Sequence, residues 1–115
     1  MLNKNSSRVI LMAELSGEQP LPKSFALYQN YPNPFNPSTR IQFDLPSQSV
    51  VSLKIFNMIG QEVRTILDNQ RMDAGVQYTT VDATELPAGV YVYRLSAGPG
   101  DGKTFVNVRK MILLK

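Results

Sequence analysis

The side chains that could do chemistry in this sequence are its carboxylates. Asp44, Glu62, Asp68, Asp73, Asp82, Glu85 and Asp101 are all available. A hydrolytic pair needs one acid held in an apolar pocket, so that its proton stays on near neutral pH. The sequence pattern supplies no such pocket, because most of these acids stand on polar strand faces or in turns. There is no His, no Cys and no Trp. That removes Ser-His-Asp and Cys-His nucleophiles, and the ligand sets of zinc fingers, haem and iron–sulfur clusters. A calcium loop uses several acids at fixed spacing. Asp101 with its neighbours, or Asn33 with Asn36, offers at most one acid per loop, so both read as turns. Tyr78, Tyr91 and Tyr93 could make an aromatic platform for a sugar. Tyr91 and Tyr93 share a strand face with Leu95, however, which assigns them to a core with their hydroxyls at the sheet rim. The expectation is a non-enzymatic chain with no catalytic residues, no cofactor and no metal.

The elements that carry these residues are short and all of one kind. At 115 residues the natural count is one domain, large enough to bury about two-thirds of its unfolded surface. A hydrophobic fraction of 43% with 18% charged residues is globular composition. The net charge is +3, with the twelve Lys and Arg scattered along the chain. Nucleic-acid binders cluster theirs, so no nucleic-acid partner is expected. Without cysteine no disulfide staples the fold. Lys4 and Arg8 precede an apolar run at residues 9–13, which is shorter than a signal h-region of about 7–15 residues and is followed by Glu14. No stretch approaches the ~20 apolar residues of a membrane span. Met1 reads as a start or as the cut edge of a longer protein, residues 9–15 as a remnant strand, and residues 16–24, with Gly17, Pro20 and Pro22, as a linker.

The strongest local signal is Asn30-Tyr31-Pro32-Asn33-Pro34-Phe35-Asn36-Pro37-Ser38-Thr39. Each proline fixes its own φ and removes a donor, and each pushes its predecessor out of the α region. The expected result is a stiff arm close to polyproline II. Tyr31 and Phe35 bracket it, and both should lie against an apolar surface.

Around the arm the chain alternates. Residues 25–28 form a short apolar opening strand. From Thr39 to Leu45, Ile41, Phe43 and Leu45 share one face, which marks a half-buried strand. Val51, Leu53 and Ile55 repeat the pattern, then Asn57-Met58-Ile59-Gly60 turns into a strand with Val63, Thr65 and Leu67, giving a hairpin with Gly60 free to take positive φ. Residues 68–75 read as a polar connection ending in a turn. The next strand, 76–81, places Val76 and Tyr78 on one side. Asp82-Ala83-Thr84-Glu85 has capping-box spacing and predicts a single helical turn. Residues 90–95 suit a central strand, Gly98-Pro99-Gly100-Asp101-Gly102 a hairpin loop with a primed Asp-Gly turn, and residues 103–115 a last strand. About seven strands with turn signals every 8–12 residues predict an all-β, immunoglobulin-like antiparallel sandwich.

Residues 25–39, Phe-Ala-Leu-Tyr-Gln-Asn-Tyr-Pro-Asn-Pro-Phe-Asn-Pro-Ser-Thr, closely resemble the opening of the C-terminal sorting domains of the type IX secretion system. Further matches are Phe56-Asn57 to Gly60-Gln61, Ala74-Gly75, Leu86-Pro87-Ala88-Gly89-Val90-Tyr91 with Tyr93-Arg94-Leu95, and Lys110-Met111-Ile112-Leu113-Leu114-Lys115. The motif positions are thus Tyr31, Pro32, Asn33, Pro34, Phe35, Asn36, Pro37, Gly60, Gly89 and Tyr91. The Gly98 to Gly102 loop is longer than the resemblance leads one to expect. The resemblance implies an N-terminal linker at 1–24 and a sorting domain at 25–115. It implies an N-terminal cargo protein carried from the periplasm through the outer-membrane translocon of Bacteroidetes-type bacteria. A sortase-type peptidase then cuts at or near residues 16–24, leaving the cargo at the cell surface or secreted.

Within that frame Lys110, Met111, Ile112, Leu113, Leu114 and Lys115 are the sorting candidates. They form a core strand whose edge, with unpaired backbone groups, and whose flanking lysines could be read by the machinery. The competing reading is a sandwich module that binds carbohydrate or packs on an enzyme partner. A third is an immunoglobulin-like domain similar to the flagellar hook cap, acting in assembly. Exposed edges and the apolar run at 9–15 could also pair two chains as a homodimer by strand exchange.

Overall fold

Two clean runs of alternation define the two inner faces of the molecule. The computed structural model describes residues 20–100 and 103–115. Its strands are β1 (Ala26–Leu27), β2 (Ser38–Leu45), β3 (Ser49–Phe56), β4 (Glu62–Met72), β5 (Gly75–Asp82), β6 (Gly89–Gly98) and β7 (Phe105–Leu113). They form a three-stranded sheet, β1-β2-β5, and a four-stranded sheet, β4-β3-β6-β7. All strand pairs are antiparallel. This is the expected immunoglobulin-like sandwich.

The core follows from the period of two. Ile41, Phe43 and Leu45 of β2 face Val51, Leu53 and Ile55 of β3 and Tyr91, Tyr93, Leu95 and Ala97 of β6, all buried. Met111 and Leu113 of β7, Val81, Ala83, Leu27 and Phe35 complete the cluster. Burying each large apolar side chain of this kind stabilises the fold by about 1.5–3 kcal/mol. The β3–β4 hairpin turns on Gly60 at φ 87°, a conformation that costs other residues more. The Asn57 side-chain oxygen accepts the Ile59 and Gln61 N–H groups there.

Several local expectations are corrected. The arm is not a polyproline II rod. Its bonds Tyr31-Pro32, Asn33-Pro34 and Asn36-Pro37 are cis, and the backbone runs in short bends. The opening strand shrinks to Ala26–Leu27. Residues 68–72 are not a connection, because β4 continues to Met72 and pairs Gln70, Arg71 and Met72 with Val51, Val50 and Ser49. Register irregularities along β4 break the Val63-Thr65-Leu67 alternation. Thr65 is exposed, while Ile66 and Leu67 both pack on the core. In β5 the Val76 and Tyr78 side is the outer one, and Val81 is the buried residue. Residues 82–86 make a turn closed by Leu86 N–H to Ala83 C=O at 3.0 Å, not a helical turn. Asp82 spends its carboxylate on Thr84, which ends the strand without starting a helix. The remnant strand at 9–15 and the Asp101-Gly102 turn lie outside the described residues.

Candidate functional site

The site assembled by this fold joins the Asn-Pro arm to the last strand. Its base is a buried polar knot. The Asn30 N–H donates to the Tyr93 hydroxyl oxygen at 2.8 Å, and that hydroxyl donates to the Tyr28 carbonyl at 2.7 Å. The Asn30 side-chain amide donates to Pro32 C=O at 3.1 Å and to Thr39 Oγ1 at 3.0 Å. Thr39 in turn donates to Pro32 C=O at 2.8 Å. Asn30, Thr39 and Tyr93 are all buried, so each partner satisfies a group that would otherwise be costly. Burial pushes the Tyr93 hydroxyl up to about 12, against the opposing pull of the Asn30 N–H and the nearby Arg109 charge.

From this knot the arm crosses to β7. Gln29 donates to the Lys110 carbonyl at 2.6 Å. The Asn33 side-chain oxygen accepts the Ile112 N–H at 2.9 Å. Phe35 N–H donates to Ile112 C=O at 2.9 Å, and Leu114 N–H donates to Phe35 C=O at 2.8 Å. The Phe35 ring enters the core at 2% exposure, whereas Tyr31, the other bracketing aromatic, is 79% exposed. Tyr31 is held through its backbone, which exchanges hydrogen bonds with Arg40. The expectation that both rings lie on an apolar surface is therefore half corrected. Phe35 matches that surface, while Tyr31 and the three prolines are exposed.

The six sorting candidates divide by face. Met111 and Leu113 are in the core and Ile112 is half-buried, while Lys110, Leu114 and Lys115 are at the surface. Lys115 donates to Thr84 C=O at 2.6 Å. The backbone edge of this stretch was expected to be unpaired. It is closed, because the arm occupies Lys110 C=O, both groups of Ile112 and the Leu114 N–H. Gln29, Asn30 and Thr39 were not picked out by type. Their signal lay in the motif, where a buried amide and hydroxyl flank the prolines without any apolar pattern.

The other candidates disperse. Glu62 lies below the usual carboxylate range through the Thr65 hydroxyl, with help from Lys54 at 3.4 Å. Asp82 is lowered in the same sense, first by the Thr84 side chain. Asp82 and Glu85 share an open hollow with Arg64 and Thr84, and both are exposed. A lowered, solvated carboxylate is the opposite of a general acid. Asp44 accepts the Tyr28 hydroxyl. Asn33 is engaged with Ile112, and no cluster of three acidic side chains that could hold a metal occurs among the described residues. Tyr91 and Tyr93 are core residues, while Tyr78 lies on the outer face of the other sheet beneath the Arg40 guanidinium at 4.5 Å. A shallow groove of about 370 Å³ over the outer face of the four-stranded sheet is lined by Phe56, Met58, Val92, Arg94 and Val108. Among the described residues no helix is long and apolar enough to cross a membrane.

Fold and clasp together define a class: a small immunoglobulin-like module that binds its own last strand with an Asn-Pro arm. Residues 29–112 match the family described as "Secretion system C-terminal sorting domain". The chain belongs to that family, the C-terminal sorting domains of type IX secretion, and its role is in sorting for export. The family is non-catalytic and works with the secretion machinery. No curated protein matches the sequence. Among solved structures, CopC from Methylosinus trichosporium OB3b is similar at a TM-score of 0.52 and 18% identity, over 78% of this chain and 93% of that one. At such identity the likeness speaks for the fold alone.

Proposed function

We propose that the domain is a folded address label, read at the clasp between arm and tail and then cut from its cargo. The translocon takes the cargo from the periplasm across the outer membrane. A sortase-type peptidase cuts in the linker at or near residues 16–24, leaving the cargo at the surface or free. The observation that carries this reading is the closure of the tail's edge by Gln29, Asn33 and Phe35. A partner that meets the intact domain finds the side chains of Lys110, Leu114 and Lys115 and the exposed ring of Tyr31, not a row of free amides. Recognition by β-strand addition at the tail would first have to displace the arm.

The test is a periplasmic reporter fused ahead of residues 16–115, linker included, in a host with the secretion system. The expected outcome is export with removal of the domain. Lys110→Glu with Lys115→Glu leaves Met111 and Leu113 in the core, so the fold should persist by circular dichroism while export falls sharply. Undiminished export of that folded double variant would remove the exposed tail side chains from the reading.

A further inference from the structure

The sandwich has four strands at its sheet edges, β1, β5, β4 and β7, and three of them are protected. β1 is two residues long, and its Leu27 carbonyl accepts from Arg109. The C-terminal half of β7 is covered by the arm, and in its other half the Val108 N–H is taken by the Asn107 side chain. β4 has three register irregularities, Asn69 at φ 48°, and the charges of Glu62, Arg64, Asp68 and Arg71. Short length, cover, bulges and charge are the devices that keep edges from pairing.

Among the described residues β5 has none of them from Gly75 to Val81. It pairs with β2 over eight consecutive residues without a break. From Gly75 to Val81 it carries no charge and no proline. In β2, Gln42 and Arg40 turn their backbone groups toward Tyr28 and Tyr31, so Thr39, Ile41 and Phe43 turn theirs to Val81, Thr79 and Gln77. By the alternation of an antiparallel ladder, Val76, Tyr78 and Thr80 point their N–H and C=O groups away from the sheet. Among the described residues these groups have no partner. Only the Asp82 carbonyl on that side is occupied, by Arg64.

We propose that β5 is a pairing edge for a second copy of this chain. Two β5 strands meet antiparallel about a two-fold axis at Tyr78 and join two three-stranded sheets into one. In that register Val76 faces the partner's Thr80 and Tyr78 faces its own counterpart, while Asp82 falls opposite Ala74. Aromatic and β-branched residues are favourable cross-strand pairs, and no like charges stand opposite each other. The pairing unites only Val76, Tyr78 and Thr80 of each copy, through their backbone groups and these few side-chain pairs, so the dimer is weak and concentration-dependent. It involves no exchange of strands and is independent of the sorting reading; either can fail alone.

Amide hydrogen exchange of the whole chain at low and high concentration tests it, together with sedimentation velocity. The expected result is fast exchange at Val76, Tyr78 and Thr80 when dilute, slowed about tenfold or more when concentrated, with a dimer in sedimentation. Thr80→Pro removes an outward donor and should leave a folded monomer. Tyr78→Lys, which sets two lysines at the axis, should do the same if the proline variant fails to fold. A chain that stays monomeric at all concentrations overturns the proposal, even if another protein then protects β5. So does a dimer that survives both substitutions.

Discussion

The edge of β7 and the edge of β5 are built on opposite rules. At β7 the chain spends the stretch from Gln29 to Thr39, which has three cis X–Pro bonds, to occupy four backbone groups of the tail. At β5 it leaves an unbroken strand, uncharged from Gly75 to Val81, with no cover among the described residues. The difference teaches that edge protection in this domain is local. It is concentrated where the last residues must hold one conformation, and it is withheld on the far side of the other sheet. A fixed surface at the tail suits recognition of a folded unit, and an open edge suits a transient contact.

The largest effect should come from Phe35→Ala. The ring is 2% exposed and locks arm to core, so its loss costs about 3–5 kcal/mol in urea unfolding. The Leu114 amide, whose acceptor is the Phe35 carbonyl, should lose its protection along with the arm. An unchanged Leu114 amide would show that the clasp does not depend on the ring. Next comes Tyr93→Phe, which strips partners from the Tyr28 carbonyl and the Asn30 N–H and should cost about 1–3 kcal/mol. The same residue gives a pH signature. Its folded value of about 12 stands above the ordinary 10.0, so the folded state holds the proton more tightly than the unfolded chain. Its stabilising contribution is complete below pH 10 and is lost as pH rises toward 12. Stability measured over that window should fall less steeply in Tyr93→Phe. The smallest effect is expected on the other side of the contrast. Thr80→Pro at the open edge should change monomer stability by less than about 1 kcal/mol, because the lost N–H has no partner among the described residues. A large loss would mean that β5 is not the free edge described.

The strands were legible where apolar alternation is strict. Ile41, Phe43 and Leu45 and then Val51, Leu53 and Ile55 announce their faces, and Gly60 announces the turn that follows. Polar edge strands were not. Residues 68–72 carry no apolar period because they pair at a rim, and only the long-range ladder to Ser49, Val50 and Val51 makes them strand. In β5 the alternation separates Tyr78 from Gln77 without saying which side faces the core, and Tyr78 is 51% exposed beneath Arg40. The arm was legible as stiff and as belonging to a recognisable motif, but its path was not. That path depends on Gln29 and Asn33 reaching residues about eighty positions away, which neither period nor propensity encodes. The closed tail edge is the functional consequence that was missed.

The central claim is that the signal is a folded clasp and not a linear tail. Two reporters decide it in one competent host, one ending in residues 25–115 and the other in residues 110–115 alone. The account predicts that the first is exported and the second stays in the periplasm. Export of the reporter that carries only the six-residue tail would contradict it.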